Sequence, residues 1–221
     1  MVPKIEVAEY SVDGRSPFRE WHDRLDAQAA AAVSVAIGRL ADGNTSNVKS
    51  IGEGAAELKI NRGPGYRIYF GWDGIVLVIL LGGGTKQRQQ TDISVALRRC
   101  ATTKRASGVR DRRMPLTHSF QETIRARAER DPAFREALFQ EAMQTLLQGD
   151  VDYGRTALRT YINATIGFER LSEVLERPPK SLMRMFGPRG NPTAENLMAV
   201  IHALQKETGV RLEIRAVADA A

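Results

Sequence analysis

The sequence is poor in the residues that form covalent and metal cross-links. Cys100 is the one cysteine among 221 residues, and the three histidines, His22, His118 and His202, are scattered along the chain. A single thiol cannot form an internal disulfide, and a structural zinc site needs four closely spaced thiolate or imidazole ligands. We therefore expect no metal and no cofactor, and we interpret the histidines as surface or helix-capping side chains.

Long apolar runs and a leader sequence are also missing. The longest apolar run, Ile75 to Leu81, is far shorter than the roughly 20 residues that a helix needs to cross a bilayer. The opening residues Met1 to Glu6 lack the apolar stretch of a signal peptide. The sequence therefore predicts a cytoplasmic protein with no membrane partner.

Acidic residues almost disappear from one short segment. Residues 98–113 carry seven basic side chains and one acidic side chain, whereas the sequence before and after this segment is balanced in charge. The whole net charge of +6 therefore lies in this segment. Two interpretations stay open, a solvated connector or an electrostatic arm that attracts phosphate backbones.

Hydrophobic periodicity divides the chain into two modules. Up to about residue 97 it mixes helix and strand, and from about residue 117 it is helical, whereas 101–115 has no periodicity. In the first module we predict a strand over 4–10, helices that begin at Ser16-Pro17 and after Asp26, strands over 57–61, 66–70 and 75–81, and a short helix over 92–99. In the second module we predict helices and a last strand over 210–214. The fold class is α+β, with domains at 1–99 and 116–221 and a basic linker at 100–115.

The second module carries a recognisable DNA-binding pattern. Two short helices meet at Pro178-Pro179, and the run Lys180-Ser-Leu-Met-Arg-Met-Phe-Gly-Pro-Arg-Gly-Asn-Pro-Thr193 leads into a further helix. The arrangement, over roughly 161–204, resembles a helix-turn-helix of the λ-repressor or xenobiotic-response-element type, and the run itself is similar to HigA-like antitoxins. Ser172 stands where that family has a small residue, and Glu176 stands where it usually has glycine. The resemblance implies an all-α domain that binds operator DNA.

The second of the two short helices supplies the candidates for DNA contact. If Pro179 begins the recognition helix, then Leu182 and Phe186 point into the domain. The polar candidates for base or phosphate contact are Lys180, Ser181, Arg184 and Arg189. The alternative is that these arginines are ordinary surface residues. Because the charges of this module balance, a homodimer that doubles the contacts is expected.

The first module carries a second family pattern. The stretches 48–70 and 80–93, with Arg62-Gly-Pro-Gly65 and Gly82-Gly-Gly-Thr-Lys86, resemble the RelE/HigB superfamily of toxins. The resemblance covers nearly all of residues 3–99 and implies two helices on a twisted antiparallel sheet. It also implies cleavage of mRNA, commonly on the ribosome. Members of that family often carry tyrosine, or histidine with glutamate, where this chain has Gln87 to Gln90, so a weakened nuclease is a second possibility.

Alternation along two predicted strands separates an apolar sheet face from a polar one. If Leu58, Ile60, Ile68 and Phe70 face the helices, the residues between them face the other way. Metal-free RNA cleavage needs a base, cations for the charged transition state and an acid. The catalytic candidates are Glu57 as the base, Lys59, Arg67 and Lys86 as cations and Tyr69 as a stacking group or proton donor, and the RNA-binding candidates are Lys49, Arg62 and Arg88. The alternative is that Glu57 and Lys59 form only a cross-sheet ion pair.

Together the two resemblances predict a toxin joined to its antitoxin in one chain. The expected partners are mRNA and the ribosome for the first domain and promoter DNA for the second. We expect the domains to contact each other in cis or across a homodimer, because a short tether raises their effective concentration to the order of millimolar. The alternative function is a helix-turn-helix repressor whose RelE-like domain is inactive and serves in dimerisation or regulation.

Overall fold

The chain folds as a mixed α+β structure. A computed structural model describes residues 5–73, 77–108 and 118–213. The strands of this described part are β1 (Glu6–Glu9), β2 (Val48–Gly52), β3 (Ala55–Ile60), β4 (Tyr66–Asp73), β5 (Leu77–Thr85) and β6 (His118–Ser119). Its α-helices are α1 (Pro17–Asp23), α2 (Ala27–Ala41), α3 (Gln89–Gly108), α4 (Phe120–Arg130), α5 (Pro132–Leu147), α6 (Val151–Ala164), α7 (Gly167–Leu175), α8 (Pro179–Met185) and α9 (Ala194–Thr208).

The six strands form one sheet in the order β2-β3-β4-β5-β1-β6. Neighbours are antiparallel except β1 and β5, which are parallel. Strand β2 is absent from the sequence prediction, because its half-exposed residues show little alternation of apolar and polar side chains. The strand β6 comes from the second half of the chain, so the expectation of an all-α second domain is wrong at this point.

Helix starts follow the polar residues that precede them. The side chains of Ser16, Asp26, Asp131 and Asp150 each accept a hydrogen bond from a backbone N–H in the first turn of the helix that follows. Such caps satisfy N–H groups that have no partner inside the helix. The predicted starts of α1 and α2 are therefore confirmed, and α5 and α6 begin at caps of the same kind.

Helix α3 is longer than predicted. It begins at Gln89 and continues to Gly108, whereas the sequence indicated a short helix over 92–99 and a linker from residue 100. Cys100 is buried within this helix. Residues 109–115, the remainder of the predicted linker, lie outside the described residues. The predicted strand over 210–214 is wrong for residues 210–213, which are irregular, and residue 214 lies outside the described part.

The sheet is covered on both faces. On one face Leu58, Ile68 and Phe70 join a core with α2, and on the other Tyr69 and Leu81 pack with α3. The alternation predicted for β3 and β4 is thus confirmed. The polar face, however, is not open to solvent along its whole length, because α3 lies over part of it.

The two halves of the chain share one hydrophobic core. Helix α2 packs against α5 and α6, and β6 extends the sheet beside β1. Phe18 and Ile37 of the first half lie in the same buried cluster as Phe120 and Phe134 of the second. We call the contact between residues 5–108 and 118–213 the junction. The sequence boundaries at 1–99 and 116–221 therefore separate segments that complete each other's core.

Polar side chains also cross the junction. Arg127 of α4 donates hydrogen bonds to the carbonyl oxygens of His22 and Leu25, the latter at 2.7 Å. These carbonyls lie at the end of α1, where backbone acceptors have no partner inside the helix. Arg159 of α6 forms an ion pair with Asp42 just after α2. The junction is therefore held together by specific polar contacts as well as by apolar packing.

Candidate nucleic-acid interfaces

Three catalytic candidates meet on the sheet face below α3. Glu57 pairs in register with Tyr69, and Lys59 pairs with Arg67, across β3 and β4. Glu57, Arg67 and Tyr69 are buried, whereas Lys59 is exposed. Strand pairing therefore brings the predicted base, one cation and the phenol together, as the alternation of the strands requires.

Glu57 is bound on both of its carboxylate oxygens. Arg67 Nε lies 2.8 Å from Glu57 Oε1, and both side chains are 5% exposed. Gln89 Nε2 lies 3.0 Å from each oxygen of the same carboxylate. The ion-pair partner of Glu57 is thus Arg67, and the alternative in which Glu57 pairs with Lys59 is wrong. Both oxygens of the Glu57 carboxylate therefore accept hydrogen bonds from neighbouring side chains as long as Gln89 stays in place.

Gln89 is a site residue that sequence reasoning missed. It is the first residue of α3, and a short 3-10 turn over Lys86–Arg88 connects that helix to β5. The sequence marks Gln87 to Gln90 only as a departure from the residues usual in RelE/HigB-like toxins, and it assigns no contact to Gln89. Only the return of the chain over β3 places the Gln89 amide against Glu57.

Tyr69 is the most deeply buried of the candidates. It is 1% exposed, and its hydroxyl has no hydrogen-bond partner among the described residues. Burial raises the pKa of the Tyr69 hydroxyl well above its usual range, and the negative charges of Glu57 and Asp92 raise it further. The phenol therefore stays protonated and can donate a hydrogen bond, but it does not act as a base.

The remaining cations of the first half divide into two groups. Lys49, Lys59, Lys86 and Arg88 are exposed. Lys86 lies close to the buried site, because its backbone N–H donates to Gly65 O at 2.9 Å and Gly65 also approaches Arg67. Arg62, a predicted RNA-binding residue, instead forms an ion pair with Glu141 of α5. Its position in the junction, beside an acidic partner, argues against the predicted contact with RNA.

The histidines do not all lie where the sequence suggested. His202 is exposed, but His22 is fully buried in the junction. Its Nε2 lies 3.1 Å from Ser34 Oγ, and the ring packs against Phe18, Phe120 and Phe134. The expectation of a surface or capping histidine is wrong for His22. Among residues 5–73, 77–108 and 118–213, no three His, Cys, Asp or Glu side chains lie together as a metal site would need.

Helices α7 and α8 form a tight helical pair in the second half. Glu176, at the end of α7, has φ 51° and ψ 41°, in the left-handed region that usually favours glycine. The chain thus makes the turn at that position with a glutamate in place of the usual glycine. On α8, Leu182 is fully buried, and Phe186 just after the helix is buried as well.

The predicted DNA contacts project from this helical pair. Lys180, Arg184 and Arg189 are exposed, and Ser181 is half-buried. The order of inward and outward residues on α8 is the predicted one. Three cationic side chains on α8 and the loop after it are suited to phosphate or guanine contacts.

Two arginines of α6 hold the loop after α8 in place. Arg155 Nη2 donates to Pro188 O at 3.0 Å, and Arg159 Nη1 donates to Phe186 O at 3.2 Å. A Cβ at Gly190 would lie 1.9 Å from Met185 O, so only glycine fits there. The sequence offers no signal for these arginines, because the loop they bind lies about thirty residues later in the chain.

One relative was found among the proteins compared. An uncharacterized protein of Haemophilus influenzae is 42% identical over 80 residues, which cover 36% of this chain and 81% of the Haemophilus protein. The chain belongs to the same family as that protein. No family model and no solved structure matches the chain. The aligned part is about one module long, so the relative has no counterpart for most of this chain.

None of the helices within residues 5–73, 77–108 and 118–213 combines the length and the apolar composition needed to span a bilayer.

Proposed function

We propose that the chain is a toxin and its antitoxin in one polypeptide. The first half is an mRNA endonuclease of the RelE/HigB type that acts on ribosome-bound mRNA, and the second half is a HigA-like helix-turn-helix protein that represses its own promoter. The observation that carries the proposal is the junction. Halves that resemble the two partners of one system share a buried core and several ion pairs, as a toxin bound to its antitoxin would.

The chemistry of the first half follows from the buried cluster and the cations around it. Lys59, Lys86 and Arg88 can bind the phosphate backbone, and Arg67 can stabilise the charge of the transition state. Glu57 becomes available as a base only when the first turn of α3 moves and Gln89 leaves it. In the fused chain we expect the nuclease to be held inactive, because the second half packs against the first across the junction.

The DNA-binding role rests on α8 and the loop that follows it. Lys180, Arg184 and Arg189 present positive charge beside a recognition helix whose apolar side is buried. A single module offers few such contacts, so we expect the second half to bind DNA as a homodimer. The full chain would then occupy a promoter site with two related half-sites.

The proposal is tested by separating the halves in cells. Residues 1–108 are expressed alone, with residues 109–221 supplied from a second plasmid, and growth and mRNA integrity are measured. We expect growth arrest with mRNA cleavage from the first half, rescue by the second half, and loss of toxicity in a Lys59→Ala, Lys86→Ala variant. The matched control is Arg15→Ala, which removes an exposed cation near the start of α1.

The second candidate function is a DNA-binding repressor with an inactive first half. The buried carboxylate of Glu57 favours it, because both of its oxygens already accept hydrogen bonds, from Arg67 and Gln89. Under this alternative, residues 1–108 are harmless even when soluble and folded, whereas the full chain still binds its promoter DNA. Harmless expression of a folded fragment would therefore contradict the toxin proposal and support the repressor.

A further inference from the structure

A cavity of about 280 Å³ lies at the open edge of β5, outside the buried pair of Glu57 and Arg67. Strand β1 pairs with β5 only as far as Leu80. Beyond that residue, β5 keeps β4 on one side and has no strand on the other within the described chain. Helices α1 and α3 approach each other around this edge, and the cavity lies between them.

Gly82 and Gly83 of β5 line the cavity, and a third glycine, Gly84, follows them in the strand. A Cβ at Gly83 would lie 2.2 Å from Trp21, one at Gly84 would lie 2.1 Å from Asp92, and one at Gly82 would lie 2.9 Å from Arg99. Side chains from α1 and α3 therefore lie directly on the bare backbone of β5. Glycines weaken the interior of a strand. Here their missing side chains leave room for Trp21, Asp92 and Arg99 to approach the backbone of β5.

Two buried polar atoms at the cavity have no partner. The Tyr69 hydroxyl and Asp92 Oδ2 are both inaccessible to solvent, and neither has a hydrogen bond to a described residue. Both residues line the cavity. Buried polar atoms are rarely left unpaired, and each one costs about 1–3 kcal/mol. Because neither atom is exposed, a ligand gains this hydroxyl donor and this carboxylate acceptor only when the side chains that cover them shift.

The rest of the lining combines apolar walls with cations. Trp21, Leu81, Val95 and Ala96 supply apolar surface, and the arginines of the lining are Arg24, Arg88 and Arg99. Arg24 and Arg88 are exposed, which places positive charge at the mouth, although Glu20 also lines the cavity. Arg99 is partly buried, and its Nη1 donates to Leu81 O at 2.6 Å.

We propose that this cavity binds a single nucleotide, with the base inside and the phosphate on the arginines at the mouth. Its volume is at the small end of ligand sites, which suits one base rather than a longer segment. Unpaired bases are recognised by aromatic or arginine stacking and by hydrogen bonds to their edges. Guanine is the best match, because its edge has two adjacent N–H donors for Asp92 beside an acceptor for Tyr69.

The nucleotide can come from two sources, a free mononucleotide or a guanosine within single-stranded RNA. The RNA source rests on the proposed endonuclease function, for which the cavity would select the base next to the cleaved bond. The free nucleotide does not require that function. Binding to the intact full chain therefore tests the cavity separately from cleavage.

The experiment is a titration of the full chain with GMP by calorimetry, followed also through tryptophan fluorescence in a Trp72→Phe background, where Trp21 is the remaining tryptophan. Guanosine, AMP and CMP are titrated beside it, together with a short oligouridine RNA that contains one guanosine and its all-uridine counterpart. We expect saturable GMP binding, weaker binding of AMP and CMP, and competition between GMP and the guanosine-containing RNA if RNA is the source. If GMP binds but the guanosine-containing RNA does not compete with it, the free nucleotide is the ligand.

The variants separate the cavity from general charge attraction. Tyr69→Phe and Asp92→Asn are each expected to weaken GMP binding about 10-fold, the effect of one lost hydrogen bond of this kind. Tyr69→Phe removes an unpaired hydroxyl, so the thermal midpoint of the protein should not fall. Arg88→Gln is expected to weaken GMP more than guanosine, whereas Arg98→Gln, an exposed position of α3 outside the lining, should change neither.

The outcomes distinguish the two proposals. Absence of saturable GMP binding at millimolar concentrations, or equal losses in Arg88→Gln and Arg98→Gln with none in Tyr69→Phe, would overturn the nucleotide site. Cleavage of mRNA by the first half, without nucleotide binding by the full chain, would support the endonuclease proposal and contradict the nucleotide site. Nucleotide binding by the full chain, when the first half cleaves no RNA, would support the nucleotide site and contradict the endonuclease proposal.

Discussion

Acidification is expected to destabilise this protein through one buried histidine. His22 lies fully buried in the junction among Phe18, Phe120 and Phe134. Burial, together with the positive charge of Arg127, lowers the pKa of its imidazole from the ordinary 6.5 to about 4. The folded state therefore requires the neutral ring, whereas the unfolded chain accepts a proton at mildly acidic pH.

The direction and size of the effect follow from the two pKa values. Because the folded value is lower than the unfolded one, the contribution of the neutral ring is fully present above about pH 6.5 and is lost as the pH falls towards 4. At about 1.36 kcal/mol for each pKa unit, the loss between roughly pH 7 and pH 4.5 is ~2.4 kcal/mol. This is a large part of a typical stability of about 5–15 kcal/mol.

The assay is urea unfolding of the full chain at several pH values, compared with a His22→Gln variant. Ser34 Oγ donates to Ala30 O, so it accepts from the ring N–H, and a glutamine amide can donate in its place. The variant should be less stable at neutral pH but should lose ~2.4 kcal/mol less between pH 7 and pH 4.5. His202→Gln, at an exposed position of α9, is the control. Equal pH dependence in His22→Gln and the unaltered chain would refute the reasoning.

Further predictions concern packing, the junction and DNA. Gly83→Ala should lower the free energy of unfolding by about 1–3 kcal/mol in urea titrations, because its Cβ would overlap Trp21; an unchanged midpoint would contradict this packing. In a double-mutant cycle, Arg62→Ala and Glu141→Ala should show a coupling of about 1 kcal/mol, discounted for the partial exposure of Arg62; independent effects would mean that the pair does not form. Arg184→Ala should weaken binding to promoter DNA and reduce the salt slope by about 1, and an unaltered affinity would exclude it from the interface.

Local signals in the sequence were sufficient for much of the secondary structure. Ser16-Pro17, Asp26 and Asp150 mark helix starts because a capping side chain acts on backbone groups only three residues away. The alternation of Leu58 and Ile60 with Glu57 and Lys59 assigns the two sheet faces, since successive side chains of a strand point in opposite directions. These features depend on neighbours in the chain, so a single sequence contains the information.

The candidate site was predicted only in part. Strand alternation placed Glu57, Arg67 and Tyr69 together, and that grouping is correct. It did not reveal that α3 covers them or that Gln89 binds Glu57, because a helix can only be placed over a sheet once the path of the chain is known. The exposed positions of Lys180 and Arg184 followed from the helical period, which again is local.

The tertiary structure decided the features that join distant parts of the chain. His22 is buried because α4 and α5, about a hundred residues later, pack over it. Arg62 pairs with Glu141 and is thereby removed from the predicted RNA contacts, and Trp21, Asp92 and Arg99 converge on the glycines of β5. Burial and pairing of this kind depend on which surfaces meet in space. The contacts join residues that are far apart in the sequence, so the neighbouring residues of the chain do not predict them.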